Sequence, residues 1–100
     1  MKVVYAEEAL RNLDDVSDYI RQNYPTISEA FHLRLQFVVA RIAKWPESAQ
    51  EVADQPGVRV VPLVRYPYRV FYRTANRTIE ILHIHHSARD AFAIADNEPT

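Results

Sequence analysis

The chain has 100 residues, of which 48% are hydrophobic and 25% are charged, and its formal net charge is −1. This length predicts one domain, and the composition is typical of an ordinary globular protein. With no cysteine the chain has no disulfide, thiolate zinc site or cysteine nucleophile, and with a single glycine it has no glycine-rich phosphate loop.

The first part of the chain predicts a short strand and a helix. Residues 2–5 are β-branched and aromatic, as in a strand. Over residues 6–22 hydrophobic side chains recur with a helical period. We expect this helix to end at Tyr24, because the residue before a proline is driven out of the α-helical region.

A second helix is predicted from the capping box of Thr26 and Glu29 to about Trp45, where Pro46 stops it. The hydrophobic stripe of this helix ends at Trp45, which we expect to be buried between the helix and a sheet. Two helices joined by only a few residues predict a helical hairpin.

The rest of the chain predicts a loop and three strands. Residues 46–57 are polar and flanked by prolines, as in a loop, and residues 58–64, 68–74 and 78–86 are rich in β-formers. Breaks this short between successive strands indicate antiparallel neighbours. By strict alternation the last strand would place Ile79 and Ile81 on one face and Leu82 and Ile84 on the other.

These elements predict an α+β fold of order β-α-α-β-β-β. In it, a helical hairpin packs on one face of a small antiparallel sheet of three or four strands. We expect residues 1–100 to form a single domain in which about residues 91–100 are a frayed tail. No signal peptide or apolar membrane span is predicted, so we expect a cytoplasmic protein.

Charge is distributed unevenly along the chain. Residues 1–57 hold six basic and nine acidic side chains, whereas residues 58–89 hold six arginines and Glu80 as their one acidic residue. Arginine suits bidentate contact with phosphate or carboxylate. The second half therefore presents either an anion-binding surface or the solvated face of a sheet, and the pattern alone leaves both open.

The same region carries a recognisable series of motifs. An Arg59-Val-Val-Pro62 strand is followed by Arg65-Tyr-Pro-Tyr-Arg69-Val-Phe-Tyr-Arg73 and by a last strand that closes with His86-Ser-Ala-Arg89-Asp90. This series resembles the RelE/ParE toxins of type II toxin–antitoxin systems. The order of elements in the N-terminal half agrees with that family as well.

The resemblance implies the toxin of a plasmid-stabilisation type of toxin–antitoxin system. Such a toxin is neutralised by a cognate antitoxin in a hetero-oligomer, through a helix in an apolar groove or a strand at a sheet edge. The family holds two activities on one fold: ParE-like members inhibit DNA gyrase, and RelE-like members are ribosome-dependent endoribonucleases that cut mRNA. Fold alone does not separate them.

Two features favour the gyrase inhibitor over the nuclease. RelE-like nucleases carry lysines in the strand before the Tyr-Arg strand, where this sequence has Val60 and Pro62. A net charge of −1 also fits poorly with a protein that sits among ribosomal phosphates. If the chain does cut RNA, it would do so without a metal, and the candidate catalytic residues are Arg69, His85, His86 and Arg89.

We therefore expect a non-enzymatic, ParE-like toxin. Its target-binding surface is predicted to consist of Arg65, Arg69, Arg73, His86, Arg89 and Asp90. No cofactor, metal ion or membrane is expected; His83 and His85 share a strand face, but zinc needs three or four fixed ligands. A third possibility is a non-catalytic module that binds nucleic acid or only the antitoxin, and salt-dependent binding would identify it.

Overall fold

The computed structural model describes residues 1–87, which form two helices on one five-stranded sheet. In chain order the elements are β1 (Lys2–Tyr5), α1 (Glu7–Asn23), α2 (Ser28–Lys44), β2 (Gln50–Glu51), β3 (Val58–Pro62), β4 (Tyr68–Ala75) and β5 (Thr78–His86). The α+β class and the helical hairpin predicted from the sequence are confirmed.

The sheet is larger than predicted and not wholly antiparallel. Its strand order is β1-β5-β4-β3-β2, and β1 pairs with β5 in parallel, whereas the other pairs are antiparallel. Parallel neighbours need a long connection between them, and the chain between β1 and β5 includes the whole helical hairpin. The fifth strand, β2, forms inside the segment predicted to be a loop and pairs with Val60 and Arg59 of β3.

The core lies between the helical hairpin and one face of the sheet. The helices contribute Ala9 and Ile20 of α1 and Phe31, Leu35, Val38 and Ile42 of α2. The sheet meets them with Tyr68, Val70, Tyr72, Ile79, Ile81 and Ile84, all less than a tenth exposed. We call this side of the sheet the covered face, and the side on which no helix of residues 1–87 packs the open face.

The end of α1 agrees with the prediction from the sequence, but the start of α2 does not. Tyr24 ends α1, as predicted, and its backbone N–H donates to the Ile20 carbonyl at 2.7 Å. The predicted capping box is wrong, because Pro25–Ile27 form a 3₁₀ turn. That turn makes Ile27 the residue before α2, which has no side-chain cap, and leaves Thr26 one residue too early to cap.

A β-bulge changes the faces of the last strand. Phe71 pairs with His83 and Tyr72 with Ile81, so Leu82 is an extra residue opposite β4. One extra residue inverts the alternation beyond it. Ile84 therefore joins Ile81 on the covered face, and the prediction that it lies on the opposite side is wrong.

Trp45 was expected in the core but is 51% exposed. It follows the last residue of α2, and the segment after it is held against the sheet by polar contacts. The Tyr72 hydroxyl donates to the Pro46 carbonyl at 2.7 Å, and the Arg59 guanidinium donates to the Glu47 and Ala49 carbonyls at 3.3 and 2.6 Å. These bonds fix the chain between α2 and β2 and leave the indole outside.

Candidate functional site

The open face of the sheet carries three of the side chains predicted to be functional, Arg69, Arg73 and His85. Along β4 the side chains alternate, so that Tyr68, Val70 and Tyr72 are buried on the covered face. Arg69 and Arg73 therefore point to the open face, with Phe71 between them. The period of two along a strand places these three side chains on one face.

The bulge in β5 adds two histidines to the same face. His85 is the cross-strand partner of Arg69, and His83 is that of Phe71. The Arg69 guanidinium lies 5.9 Å from the centre of the Phe71 ring. The two imidazole rings lie 5.5 and 6.3 Å from the same ring and 4.9 Å from each other. We call Arg69, Phe71, His83 and His85 the open-face cluster.

Acidic side chains border this cluster on one side. The Arg73 Nε donates to the Glu80 carboxylate at 2.8 Å across β4 and β5. The Nδ1 of His83 lies 3.4 Å from a carboxylate oxygen of Glu8, at the start of α1. Arg73, which the sequence predicted as a target contact, is thus already paired within the sheet, and a partner must compete with Glu80 for it.

The side of the open-face cluster that lies next to β3 is apolar. On β3, Val60 is the cross-strand partner of Phe71, and Pro62 is that of Arg69. Neither position supplies a cation or a proton-transfer group. The open-face cluster therefore combines fixed positive charge, an aromatic ring and two imidazoles, without a lysine at these two positions.

Arg65 and His86 lie apart from this cluster. Beyond the bulge His86 points to the covered face, where its ring makes an edge contact with Tyr68 at 5.2 Å. Arg65 occupies the turn between β3 and β4 with a φ of 86°, in the left-handed region. Both residues line an aromatic groove of about 430 Å³ whose other lining residues are Tyr19, Ile20, Tyr24, Ile27, Tyr66, Pro67 and Tyr68.

The predicted site residues are thus divided between two places. Arg69, Arg73 and the nuclease candidate His85 share the open face, whereas Arg65 and His86 line the aromatic groove. Arg89 and Asp90 lie outside the described residues. Sequence reasoning did not include His83 or Phe71 among the target contacts, although the period of two with His85 and Arg69 was the signal that could have found them.

Burial perturbs the pKa of two tyrosines on the covered face. Desolvation raises the pKa of Tyr72 above its ordinary value, and the nearby Arg59 charge opposes this in part. Burial likewise raises the pKa of Tyr5. Both hydroxyls therefore stay protonated at neutral pH.

Residues 1–87 contain no group of three or more His, Cys, Asp or Glu side chains placed to hold a metal ion. The three histidines of β5 do not form such a group, since His86 faces away from the other two. None of the helices in the described part of the chain is long and apolar enough to cross a membrane.

Comparison with known families covers most of the chain. Residues 3–91 match the model of the ParE toxin of type II toxin–antitoxin systems, parDE. The toxin RelE2 of Caulobacter vibrioides is 33% identical over 89 residues, which cover 88% of this chain and 97% of that protein.

Solved structures share the same fold. A chain of the chromosomal ParDE toxin–antitoxin system from P. aeruginosa superposes with a TM-score of 0.65 at 23% identity, covering 86% of this chain and 95% of its own. The YoeB/ParE toxin from Agrobacterium tumefaciens gives 0.59 at 13% identity, covering 86% and 98%. The isolated E. coli RelE toxin gives 0.58 at 16% identity, covering 95% and 96%.

Proposed function

The chain belongs to the ParE toxin family of type II toxin–antitoxin systems, and from this premise we propose that it inhibits DNA gyrase by binding through the open face of its sheet. The observation that carries the proposal is the open-face cluster. Arg69 stands there as a fixed cation on a central strand, beside the Phe71 ring, and a guanidinium is the group best suited to bidentate contact with carboxylate or phosphate.

The composition of the neighbouring strand supports binding over catalysis. Cleavage of RNA without a metal needs a base, an acid and a cation around one phosphate. On β3 the two positions that face Phe71 and Arg69 are Val60 and Pro62, which supply none of these groups. A binding surface has no such requirement, because complementarity of charge and shape to the partner is sufficient.

A second function, RNA cleavage, has one observation in its favour. His83 and His85 flank Phe71 across the strand from Arg69, so the open-face cluster contains two imidazoles beside a guanidinium. Histidine is the side chain most often used as a general acid or base near neutral pH. In this alternative Arg69 holds the phosphate and His85 transfers a proton, and the target is mRNA on the ribosome.

Expression of the toxin without its antitoxin separates the two functions. If gyrase is the target, induction activates the DNA-damage response and cleaved gyrase–DNA complexes accumulate, while labelled amino acids are still incorporated at first. If the chain is a nuclease, incorporation stops within minutes and mRNA is cut on the ribosome. The second pattern would refute the gyrase proposal.

Point variants test the assignment to the open face. Arg69→Ala is expected to abolish toxicity, and Arg21→Ala, on the exposed surface of α1, is the matched control that stays toxic. His85→Ala distinguishes the two functions further, because loss of an imidazole removes a proton-transfer group from a nuclease but only one contact from a binding surface. Full toxicity of Arg69→Ala would show that the active surface lies elsewhere on the molecule.

A further inference from the structure

The strand that carries the two histidines of the open-face cluster loses one neighbour partway along its length. β1 pairs with β5 only as far as Ile81. Within residues 1–87 no strand lies along that edge of β5 over residues 82–86. The bulge at Leu82 also disrupts the pairing with β4 at this point. The segment that presents both imidazoles is therefore held less by strand pairing than the first half of β5.

A side chain of α1 takes the place of the missing strand. The Asn12 Oδ1 accepts a hydrogen bond from the Ile84 backbone N–H at 3.1 Å. Ile84 lies between His83 and His85 in the chain, and its side chain is buried on the covered face. Because side chains alternate along a strand, fixing Ile84 keeps both neighbouring imidazoles on the open face.

A second residue of α1 contacts one of these imidazoles directly. Glu8 lies one helical turn before Asn12, on the same side of the helix. Its carboxylate is 3.4 Å from the Nδ1 of His83. That nitrogen is buried and makes no hydrogen bond within the described part of the chain, although 35% of the His83 side chain is exposed. The ring therefore has Nδ1 turned inward, toward Glu8.

From these contacts we propose that Glu8 and Asn12 are positioning residues of the open-face cluster. Asn12 fixes the strand between the two histidines, and Glu8 fixes the orientation and the proton of the His83 ring. Neither residue has to touch the target. The inference rests on the proposed function, because it takes the open face as the surface that binds the target.

The carboxylate of Glu8 decides which nitrogen His83 offers to a partner. A carboxylate beside an imidazole nitrogen favours a proton on that nitrogen. In the neutral ring Nδ1 then carries the proton, and Nε2 is left as a hydrogen-bond acceptor. The open-face cluster therefore presents this acceptor together with the donors of the Arg69 guanidinium around the Phe71 ring. A partner has to match both, so the orientation of His83 contributes to specificity.

The neighbouring residue Glu7 provides a matched control. Glu7 and Glu8 both lie in the first turn of α1, where a carboxylate stabilises the helix dipole. Glu7 pairs with Arg11 at 3.2 Å and its side chain is 89% exposed, whereas Glu8 lies beside His83. Replacing either residue by alanine removes a charge from the same turn, but only Glu8→Ala removes the contact with the imidazole.

Long-range ¹H–¹⁵N correlation spectra of the purified toxin test the role of Glu8 without any target, because they show which ring nitrogen carries the proton. In the neutral His83 ring of the wild type we expect the proton on Nδ1. Glu8→Ala should shift it toward Nε2, and Glu7→Ala should leave it in place. A His83 spectrum of Glu8→Ala that matches the wild type would overturn the role of Glu8.

Toxicity measures the consequence for the site. The cellular level of toxin that halves the growth rate is expected to rise about tenfold for Glu8→Ala, as for loss of one charge-assisted hydrogen bond to the target. For Glu7→Ala it should stay within about twofold. Wild-type toxicity of Glu8→Ala, when Arg69→Ala is inactive, would show that the orientation of His83 does not matter for the target.

Two substitutions of Asn12 separate its acceptor oxygen from its size. Asn12→Leu is similar in size but has no acceptor, and the toxin level for half-inhibition is expected to rise at least about tenfold. Asn12→Asp keeps the oxygen that Ile84 needs and should restore toxicity to within about threefold of the wild type. Circular dichroism measures how much of each variant is folded. If Asn12→Leu does not fold, Asn12→Asp and the exposed Glu8→Ala variant still provide the test.

Equal toxicity of the wild type, Asn12→Leu and Asn12→Asp would overturn the role of Asn12, and so would loss of toxicity in a folded Asn12→Asp. Failure of the proposed function has a different signature. It would appear as full toxicity of Arg69→Ala or as a toxin that does not act on gyrase, and the ring spectra of His83 depend on neither result.

Discussion

The two faces of the sheet differ in what their side chains do. On the covered face, Val70, Ile79 and Ile81 are completely buried against the helices. On the open face, the same strands present Arg69 and His85 as cross-strand partners. Both side chains remain partly accessible to solvent. Alternation along a strand thus assigns neighbouring residues to different roles, stability on the covered face and recognition on the open face. Variants of one face should therefore leave the function of the other intact.

The largest effect is expected for a core residue of the covered face. Ile81→Ala removes buried methyl and methylene groups and leaves a cavity, which should lower the free energy of unfolding by about 2–5 kcal/mol. Urea denaturation followed by circular dichroism measures it. Val4→Ala, on the exposed side of β1, is the control and should cost less than about 1 kcal/mol. Equal losses in both variants would contradict the separation of the faces.

An arginine from each face gives the sharpest comparison. Arg59→Ala removes the bonds to the Glu47 and Ala49 carbonyls and should cost about 1–3 kcal/mol of stability. Its toxicity should persist at temperatures where the variant is folded. Arg69→Ala should show the reverse, with a smaller loss of stability than Arg59→Ala and with lost toxicity. A variant pair in which both properties fall together would show that the faces are not independent.

Tyr72 should make the stability of the fold depend on pH. Tyr72→Phe loses the hydrogen bond to Pro46, at an expected cost of about 1 kcal/mol near neutral pH. Because burial raises the pKa of Tyr72 above 10.0, the unfolded chain releases this proton at a lower pH than the folded chain does. The stability of the wild type should therefore be unaffected by this group below about pH 10 and decline as the pH rises toward the folded pKa.

The Tyr72→Phe variant checks the sign of that dependence. Its unfolding free energy should decline less steeply than that of the wild type above about pH 10, since one shifted group has been removed. Tyr5 keeps its own raised pKa in both proteins, so part of the slope should remain. An identical slope in both proteins would show that Tyr72 does not carry the effect.

The smallest effect is expected for the ion pair of the open face. Glu80→Gln removes the carboxylate that accepts the Arg73 bond, and both side chains are accessible, so solvent screens the pair. The change in unfolding free energy should be within about 0.5 kcal/mol. If Arg73 contacts the target, freeing it should leave toxicity unchanged or increase it. A clear loss of toxicity would make Glu80 itself a target contact.

Local sequence signals predicted most of the elements and part of the site. The periods of the two helices, the proline after Tyr24 and the short break at Asn76 and Arg77 gave element bounds within a residue or two of those observed. The Asn76 and Arg77 pair forms a two-residue turn with positive φ at both positions, as a tight hairpin requires. The common face of Arg69 and Arg73 follows from another local rule, the alternation of side chains along a strand.

What the sequence by itself determined was therefore local: the types and order of the elements, and the alternation along β4. Only the tertiary structure decided the bulge at Leu82, which reverses His86 and Ile84, and the exposure of Trp45. It also decided that β1 runs parallel to β5. A bulge, a helix end and a strand partner depend on residues far apart in the chain, and side-chain period carries no information about such contacts.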